Sequence, residues 1–425
     1  MKILIYSANF APEPTGIGKY SGEMAAWLVT QGHEVRVVTA PPHYPNWQVA
    51  REFRWPPYQR NQWQGVSVWR APLWVPRTPG GLTRILYLLS FALTSLPLAL
   101  LQVWWRPDVV LTVAPAFLCA PAGWLTARLS GAKAWLHLQD FEIDIAFTMG
   151  VVKNPLLRRV ISRLESLMLK RFDRVSTISQ RMVEKLQAKG VRRDRTWLFP
   201  NWVDTRHISP FDSDGKPRAA SRYRHELGIP EEATVLLFSG TLGAKQGLLA
   251  IPTVARQLAH RSDICFLICG EGVMKPQLLA ATADLPNFRV LPLQPSEHLG
   301  ELLCTADIHL LPQSACAEDL VLPSKLSGMT ASGRPVIATC RAGTELHQVV
   351  SQCGLVVTPD DVEALTTAVL QLADNPTLRV AMGRCGRAWA EANLEREAVL
   401  QRAFGNSGAA APMLATKGAA VSGAP

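Results

Sequence analysis

Val235-Leu236-Leu237-Phe238-Ser239-Gly240-Thr241-Leu242-Gly243-Ala244-Lys245-Gln246-Gly247 decides how this chain is read. Its apolar opening makes a buried strand, and the glycines behind it open a loop that leads into a helical pattern. Glycine lets main chain approach a ligand closely, and amides at a helix start hold phosphate. The same grammar returns at Gly270-Glu271-Gly272 behind the strand Ile264–Cys269, then at Pro323-Ser324-Lys325 and Gly333-Arg334-Pro335. Several such loops at successive strand ends describe a crevice for a phosphorylated ligand at the carboxyl edge of a parallel sheet.

Outward from this array, strands are expected at 288–291, 308–311, 336–339 and 355–357, with a helix over 362–373. Upstream, 212–224 is polar and holds Gly215 and Pro217, which marks a linker. Before it a first alternation runs from the buried strand 2–7 through a loop with Pro12, Pro14, Gly16 and Gly18. A helix from Ser21 follows, stopped at Gly32, and then the strand 35–39. Strand, helix, strand implies a parallel pair with a right-handed crossover. Strands at 109–113, 134–138 and 175–178 continue it, while the Pro- and Trp-rich 41–80 reads as a long functional loop with short strands. Two successive doubly wound α/β domains are the expected architecture.

A chain of 425 residues exceeds the usual size of one core, and 48% hydrophobic with 18% charged residues describes a folded protein. Its net charge of +10 is uneven: residues 1–205 hold 25 Lys+Arg against 13 Asp+Glu (25 − 13 = +12), the remainder 19 against 21 (19 − 21 = −2). The first half also holds all but one of the 13 tryptophans. Nucleic acid is a poor partner for that half, since no helix-turn-helix, zinc-finger or RNA-platform signature accompanies the basic residues. Tryptophan beside Arg or Lys suits a membrane interface better. The stretch 85–105 is uncharged between Arg84 and Arg106, near the length that spans a bilayer, yet carries Ser90, Thr94, Ser95, Pro97 and Gln102. It reads as a buried helix, a helix dipping into a membrane, or a span. Eight cysteines occur without a Cys-x-x-Cys pair, and no secretory leader is recognisable at Met1, so free thiols in a reducing cytosol are expected.

Several further segments carry a resemblance: Tyr6-Ser7-Ala8-Asn9-Phe10-Ala11-Pro12-Glu13-Pro14-Thr15-Gly16-Ile17-Gly18, Gly32-His33-Glu34-Val35, Gln139-Asp140, Pro200-Asn201-Trp202-Val203-Asp204 and Ala306-Asp307-Ile308. With the glycine loops, in this order, residues 1–400 resemble the family 4 retaining glycosyltransferases of GT-B architecture. The resemblance implies two Rossmann-like domains facing a cleft. Residues 1–205 would serve the acceptor, 206–376 would hold the nucleotide-sugar donor, 377–404 would return as a helix to the first domain, and 405–425 would be a disordered tail. No cofactor and no metal are implied. The expected partners are a nucleotide sugar, a lipid-linked saccharide acceptor and the inner surface of the cytoplasmic membrane. GDP-fucose and a colanic-acid-type exopolysaccharide are the substrate guesses.

By the same resemblance Lys245 sits where relatives place a cation on the donor diphosphate, and a cation beside glycine amides stabilises charge growing on that leaving group. Relatives often carry arginine where this chain has Thr241, which raises the interest of Lys325. Gly240, Thr241, Gly243, Gly270, Glu271, Gly272, Glu318, Ser324 and Lys325 are the donor-side candidates, and Gly16 and Gly18 form the facing loop. Relatives show a second glutamate, clasping the ribose, where this chain has Gly328. Asp140, at a strand end, is a candidate to orient the acceptor hydroxyl or take its proton, with helix capping as its bland alternative. His137 is a weaker candidate, packed in its strand. Asp212-Ser213-Asp214 imitates a metal-binding Asp-x-Asp but lies in the linker.

Three rivals remain. A dinucleotide oxidoreductase would need Gly-x-Gly-x-x-Gly hard against the first strand and an acid ending the second, and Ser21 and Thr39 stand at those places. A nucleotide-sugar epimerase would need no acceptor. A non-catalytic membrane scaffold would bind the donor without turning it over.

Overall fold

The computed structural model describes residues 1–77, 80–114, 117–148, 150–210, 222–243, 246–314 and 322–405. Among them, β1 (Lys2–Ser7), β2 (Glu34–Thr39), β3 (Gln59–Trp63), β4 (Val66–Arg70), β5 (Val109–Ala114), β6 (Lys133–Leu138), β7 (Arg174–Thr177) and β8 (Thr196–Leu198) form one sheet. Its order is β3-β4-β2-β1-β5-β6-β7-β8, parallel throughout except for the β3/β4 hairpin. The second sheet holds β9 (Thr234–Ser239), β10 (Ile264–Cys269), β11 (Phe288–Leu291), β12 (Ile308–Leu311), β13 (Val336–Thr339) and β14 (Gly354–Val357). It is wholly parallel, in the order β11-β10-β9-β12-β13-β14. The strand order reverses between β1 and β5 in one sheet and between β9 and β12 in the other, the places where ligand crevices form in such sheets.

Period-two alternation sorts each strand between two cores. In β1, Ile3 and Ile5 pack with Met24, Trp27 and Leu28 of the helix Gly16–Thr30. Leu4 and Tyr6 face the other way, against Tyr87 and Phe91 of the helix Gly81–Leu101 and Ala127 of the helix Ala120–Ser130. Both sheet faces are covered, so their strands read as continuous apolar runs. The region 41–80 contributes β3 and β4, the short strands expected there.

The segment expected to return over 377–404 divides at Glu395. Pro376–Leu394 packs on the second sheet through Ala390 and Leu394. Arg396–Phe404 crosses to the first, where Val399 and Leu400 join its core and Trp27 Nε1 donates to Glu397 Oε2 at 2.8 Å. The connector Thr205–Ile208 is clasped by Arg387, which donates to the carbonyls of Thr205 (2.8 Å) and Ile208 (2.6 Å).

Two compositional features take a place in the structure. The pairing of tryptophan with arginine, read as a membrane signature, is in good part internal stacking: Arg36 lies 4.4 Å from the Trp105 ring, and Arg174 lies 3.6 Å from Trp197 and 4.7 Å from Trp135. An aromatic face attracts a guanidinium, so a chain that stacks them gathers both. The uncharged stretch 85–105 lies within the helix Gly81–Leu101 and the short turn Gln102–Trp105. By length and composition it could cross a membrane, with a mean hydropathy of 1.8, but one side is bound to the sheet. Tyr6 and Ser95 hydroxyls pair at 2.6 Å, and Thr94 Oγ1 donates to the Pro72 carbonyl at 2.6 Å.

Candidate active site

The carboxyl ends of both sheets face one another across a cleft of about 420 Å³. The loop behind β1 supplies Asn9, Gly16 and Ile17, and the end of β6 supplies Gln139 and Asp140. Tyr44, Trp47, Arg84 and Tyr87 add an aromatic and cationic wall, while Gln313, Pro323 and Ser324 come from the second sheet. The structure thus brings Gly16, Asp140 and Ser324 to one space.

On the second sheet the glycine loops are locked to each other. Gly240 N donates to Cys269 O at 2.9 Å, Leu242 N to Glu271 O at 2.8 Å and Met274 N to Leu242 O at 3.0 Å. A Cβ on Gly270 (φ 157°) would run into the Gly240 carbonyl, and one on Gly240 (φ 141°) into Lys325 Cε. Glycine is required here for loop against loop, before any ligand is considered. The Glu271 carbonyl accepts from Leu242 N, and its carboxylate pairs with Lys275 at 2.5 Å. Gly243 continues the loop behind Thr241, whose carbonyl oxygen lies 3.5 Å from Lys325 Nζ.

Lys325 is the cation that this scaffold builds in. Its Nζ sits 4.2 Å from the centre of the Phe238 ring, in the space that Gly240 leaves. Burial disfavours the charged form and brings its pKa down to about 8. An anion placed beside it would favour the ammonium again. Lys245 and Glu318 lie outside the described residues, as does Asp212-Ser213-Asp214. The departure at Gly328 has a packing cause: a Cβ there would approach Leu303 Cδ1 to 2.9 Å, with Ile208 beyond. That face of the helix Lys325–Ala331 meets its own domain's core, leaving no room for a carboxylate.

On the first sheet the loop after β1 is held by Glu13, a buried carboxylate. It accepts from Asn9 Nδ2 (2.9 Å) and the amides of His43 and Tyr44 (both 3.1 Å). A Cβ on Gly18 would overlap Glu13, so Gly18 is a packing residue behind the loop, and Gly16 is the glycine that reaches the cleft. His43 then passes the connection on. Its Nδ1 donates to Pro41 O at 2.8 Å and its Nε2 accepts from Tyr87 Oη at 2.8 Å, which fixes Tyr87 in the cleft wall.

His137 is buried and held neutral, its pKa brought down to about 3 by desolvation. Gln139 Nε2 donates both to His137 Nε2 (2.9 Å) and to Asn201 Oδ1 (3.0 Å), so the ring hydrogen is on Nδ1, directed at Ser176 Oγ (2.9 Å). Asn201 Nδ2 answers to Gln139 Oε1 at 3.0 Å. This amide pair pins the strand end beside Asp140 to the segment that leaves for the second domain. Glu142 stands behind Asp140. One oxygen accepts from Phe117 N at 2.8 Å and Oε1 is out of reach of solvent with no hydrogen-bond partner among the described residues. Burial raises its carboxyl to about 7, with the Asp140 charge adding to the rise and Arg84 opposing it.

Arg84, Tyr87, Trp47 and Tyr44 carried no expectation. Arg84 was legible only as the charge bounding an apolar stretch, and the aromatics as members of a long loop. Among the described residues no group of three His, Cys, Asp or Glu side chains is placed to hold a metal ion.

Comparison with known proteins agrees with this geometry. Residues 15–202 match a family described as glycosyl transferase 4-like domain, and residues 233–375 match glycosyl transferases group 1. The chain is 38% identical to the putative colanic acid biosynthesis glycosyl transferase WcaI of Escherichia coli K12, over 95% of this chain and 98% of that one. Among solved structures, sucrose-phosphate synthase from Thermosynechococcus elongatus superposes with a TM-score of 0.69 at 16% identity, over 95% of this chain and 97% of that one. HepE of Anabaena in complex with UDP-glucose gives 0.64 at 15% identity, over 95% and 98%. Two sheets that meet at their carboxyl ends, a cleft between them and this likeness over nearly the whole length lead to one conclusion: the chain belongs to the family 4 glycosyltransferases of GT-B fold.

Proposed function

We propose that the chain transfers a sugar from a nucleoside diphosphate sugar to a hydroxyl of a polyprenyl-diphosphate-linked saccharide, in the assembly of a bacterial exopolysaccharide of colanic-acid type. The cleft carries this reading, because Asp140 of one domain and Ser324, next to Lys325, of the other line the same space. Likeness to a relative named for colanic acid supports the pathway, and GDP-fucose remains the donor of choice. Lys325, with Lys245, would meet the charge that grows on the departing diphosphate. Asp140 would orient the acceptor hydroxyl, while an oxygen of the leaving phosphate takes its proton from the same face, keeping the anomeric configuration. The scheme asks for positioning and charge stabilisation and no catalytic metal. Membrane-held acceptor would place the protein at the inner surface of the cytoplasmic membrane.

A panel of labelled GDP- and UDP-sugars, incubated with a synthetic polyprenyl-diphosphate saccharide and EDTA and read by mass spectrometry, tests this. One donor should yield an acceptor longer by one sugar plus free nucleoside diphosphate. A donor altered in configuration without acceptor would favour an epimerase, and binding without turnover a scaffold.

A further inference from the structure

One layer of helices on the first sheet carries apolar side chains on its outer side as well as on the side that meets the sheet. The helix Gly81–Leu101 buries Tyr87, Leu88 and Phe91 against the sheet, yet Leu82, Leu86, Leu89 and Leu93 stand exposed along its opposite side. Their spacing of three and four residues makes one stripe, which Trp104, 86% exposed, prolongs. On the neighbouring helix Ala120–Ser130, Leu125 and Leu129 are exposed as well. The helix Pro155–Leu169 anchors Leu169 in the same core and exposes Leu156, Val160, Leu164 and Leu167. The helices Gly81–Leu101 and Ala120–Ser130 pack side by side, and the segment leading into the helix Pro155–Leu169 reaches the start of the first, where a side chain at Gly81 would meet Val151 at 3.1 Å.

Apolar exposure on this scale marks an interaction surface, and its charge says what it meets. Lys153, Arg159 and Arg163 are exposed among these leucines, and Arg128 and Lys170 lie beside them. The acid of the helix Pro155–Leu169, Glu165, is buried and paired with Lys189 at 2.5 Å. A second copy of the same face would set cation against cation, whereas anionic headgroups over an apolar layer complement both features.

We infer that this three-helix face seats the protein in the headgroup layer of an anionic bilayer, lying in the surface without crossing it. The inference deepens the membrane-side part of the transferase reading. Arg84, Tyr87 and Leu88, on the same helix as the leucine stripe, line the cleft, so a seated helix brings the cleft to the depth of membrane-held phosphates.

Co-sedimentation of the full chain with phosphatidylglycerol/phosphatidylcholine vesicles, against phosphatidylcholine alone, tests it. Wild type should bind the anionic vesicles, lose at least tenfold in partitioning when salt is raised, and come off in alkaline carbonate. The double variant Leu86→Glu/Leu93→Glu should lose binding at least tenfold, and Arg159→Glu/Arg163→Glu should lose the preference for anionic lipid. Both should keep wild-type melting and nucleoside diphosphate binding. Absence of wild-type binding, binding unchanged in both variants, retention after carbonate, or a solution dimer that the leucine variant dissolves would each overturn the inference. Transfer to a short-chain, water-soluble acceptor separates the two readings. If it persists without vesicle binding, only the surface assignment falls; if vesicles bind and no transfer occurs, only the transferase reading falls.

Discussion

The two walls of the cleft are made in opposite ways. On the second domain, main chain does the building: Gly240, Gly270 and Gly272 let two loops exchange amide hydrogen bonds and leave a slot for Lys325. On the first, side chains drawn from distant parts of the chain do it: Tyr44, Trp47, Arg84, Tyr87 and Asp140 line the wall, Glu13 and His43 brace Tyr44 and Tyr87, and the Gln139–Asn201 pair pins the strand end beside Asp140. On the proposed reading, main-chain architecture suits the part common to all donors, the diphosphate, which would lie beside Lys325. Side-chain architecture suits the variable partner, because each residue can change without rebuilding a loop.

The sharpest break between the walls should appear in stability. Gly270→Ala forces a Cβ onto the Gly240 carbonyl and should cost about 3 kcal/mol or more. Gly131→Ala, on the first domain, has the same need for positive φ (75°) but open space around it, and should cost only about 1 kcal/mol. Urea unfolding compares the two, and equal costs would mean that the loops can separate. Next in size, Asp140→Asn should lower the transfer rate roughly 100-fold with nucleoside diphosphate affinity unchanged. A parallel loss of donor binding would move Asp140 to the other wall. Arg84→Ala should raise the acceptor KM about tenfold, ~1.4 kcal/mol, and leave the donor KM alone.

The smallest effect concerns Glu142. With its carboxyl raised to about 7, ionising it in place costs stability progressively as pH climbs from the ordinary carboxylate range through 7. Glu142→Gln keeps the oxygen that accepts from Phe117 N and removes that cost. Its melting temperature should exceed wild type by about 2–4 °C at pH 8 and converge with it at pH 5. A gain independent of pH would point to packing instead.

The same contrast explains what the sequence discloses. Apolar runs ended by glycine announce β9, β10 and their loops, because backbone demands leave residue-type signatures at fixed places. The doubly wound order follows from strand-helix alternation in the same way. Arg84 and Tyr87 leave no such trace. Their cleft role depends on which side of the helix Gly81–Leu101 meets the sheet, and on Glu13 and His43 bonding to segments well apart in sequence. Gly328 was legible as a departure but not as a consequence, since Leu303 and Ile208 reach it only in the folded chain. The return of the C-terminal segment was legible too, though not the break at Glu395, where packing changes partner between two sheets.

Calorimetric titration of a nucleoside diphosphate into wild type, Lys325→Met and Arg84→Ala, with EDTA and across pH 6.5–9.5, bears on the division of labour between the walls. Lys325 loses its charge in the free protein as pH rises through about 8, while bound phosphate favours the ammonium, so wild-type affinity should fall from pH 8 upward. Lys325→Met should bind about 100-fold more weakly and without that pH dependence, and Arg84→Ala should match wild type. Binding that survives Lys325→Met intact, or that Arg84→Ala abolishes, would place the diphosphate on the first domain and contradict the assignment.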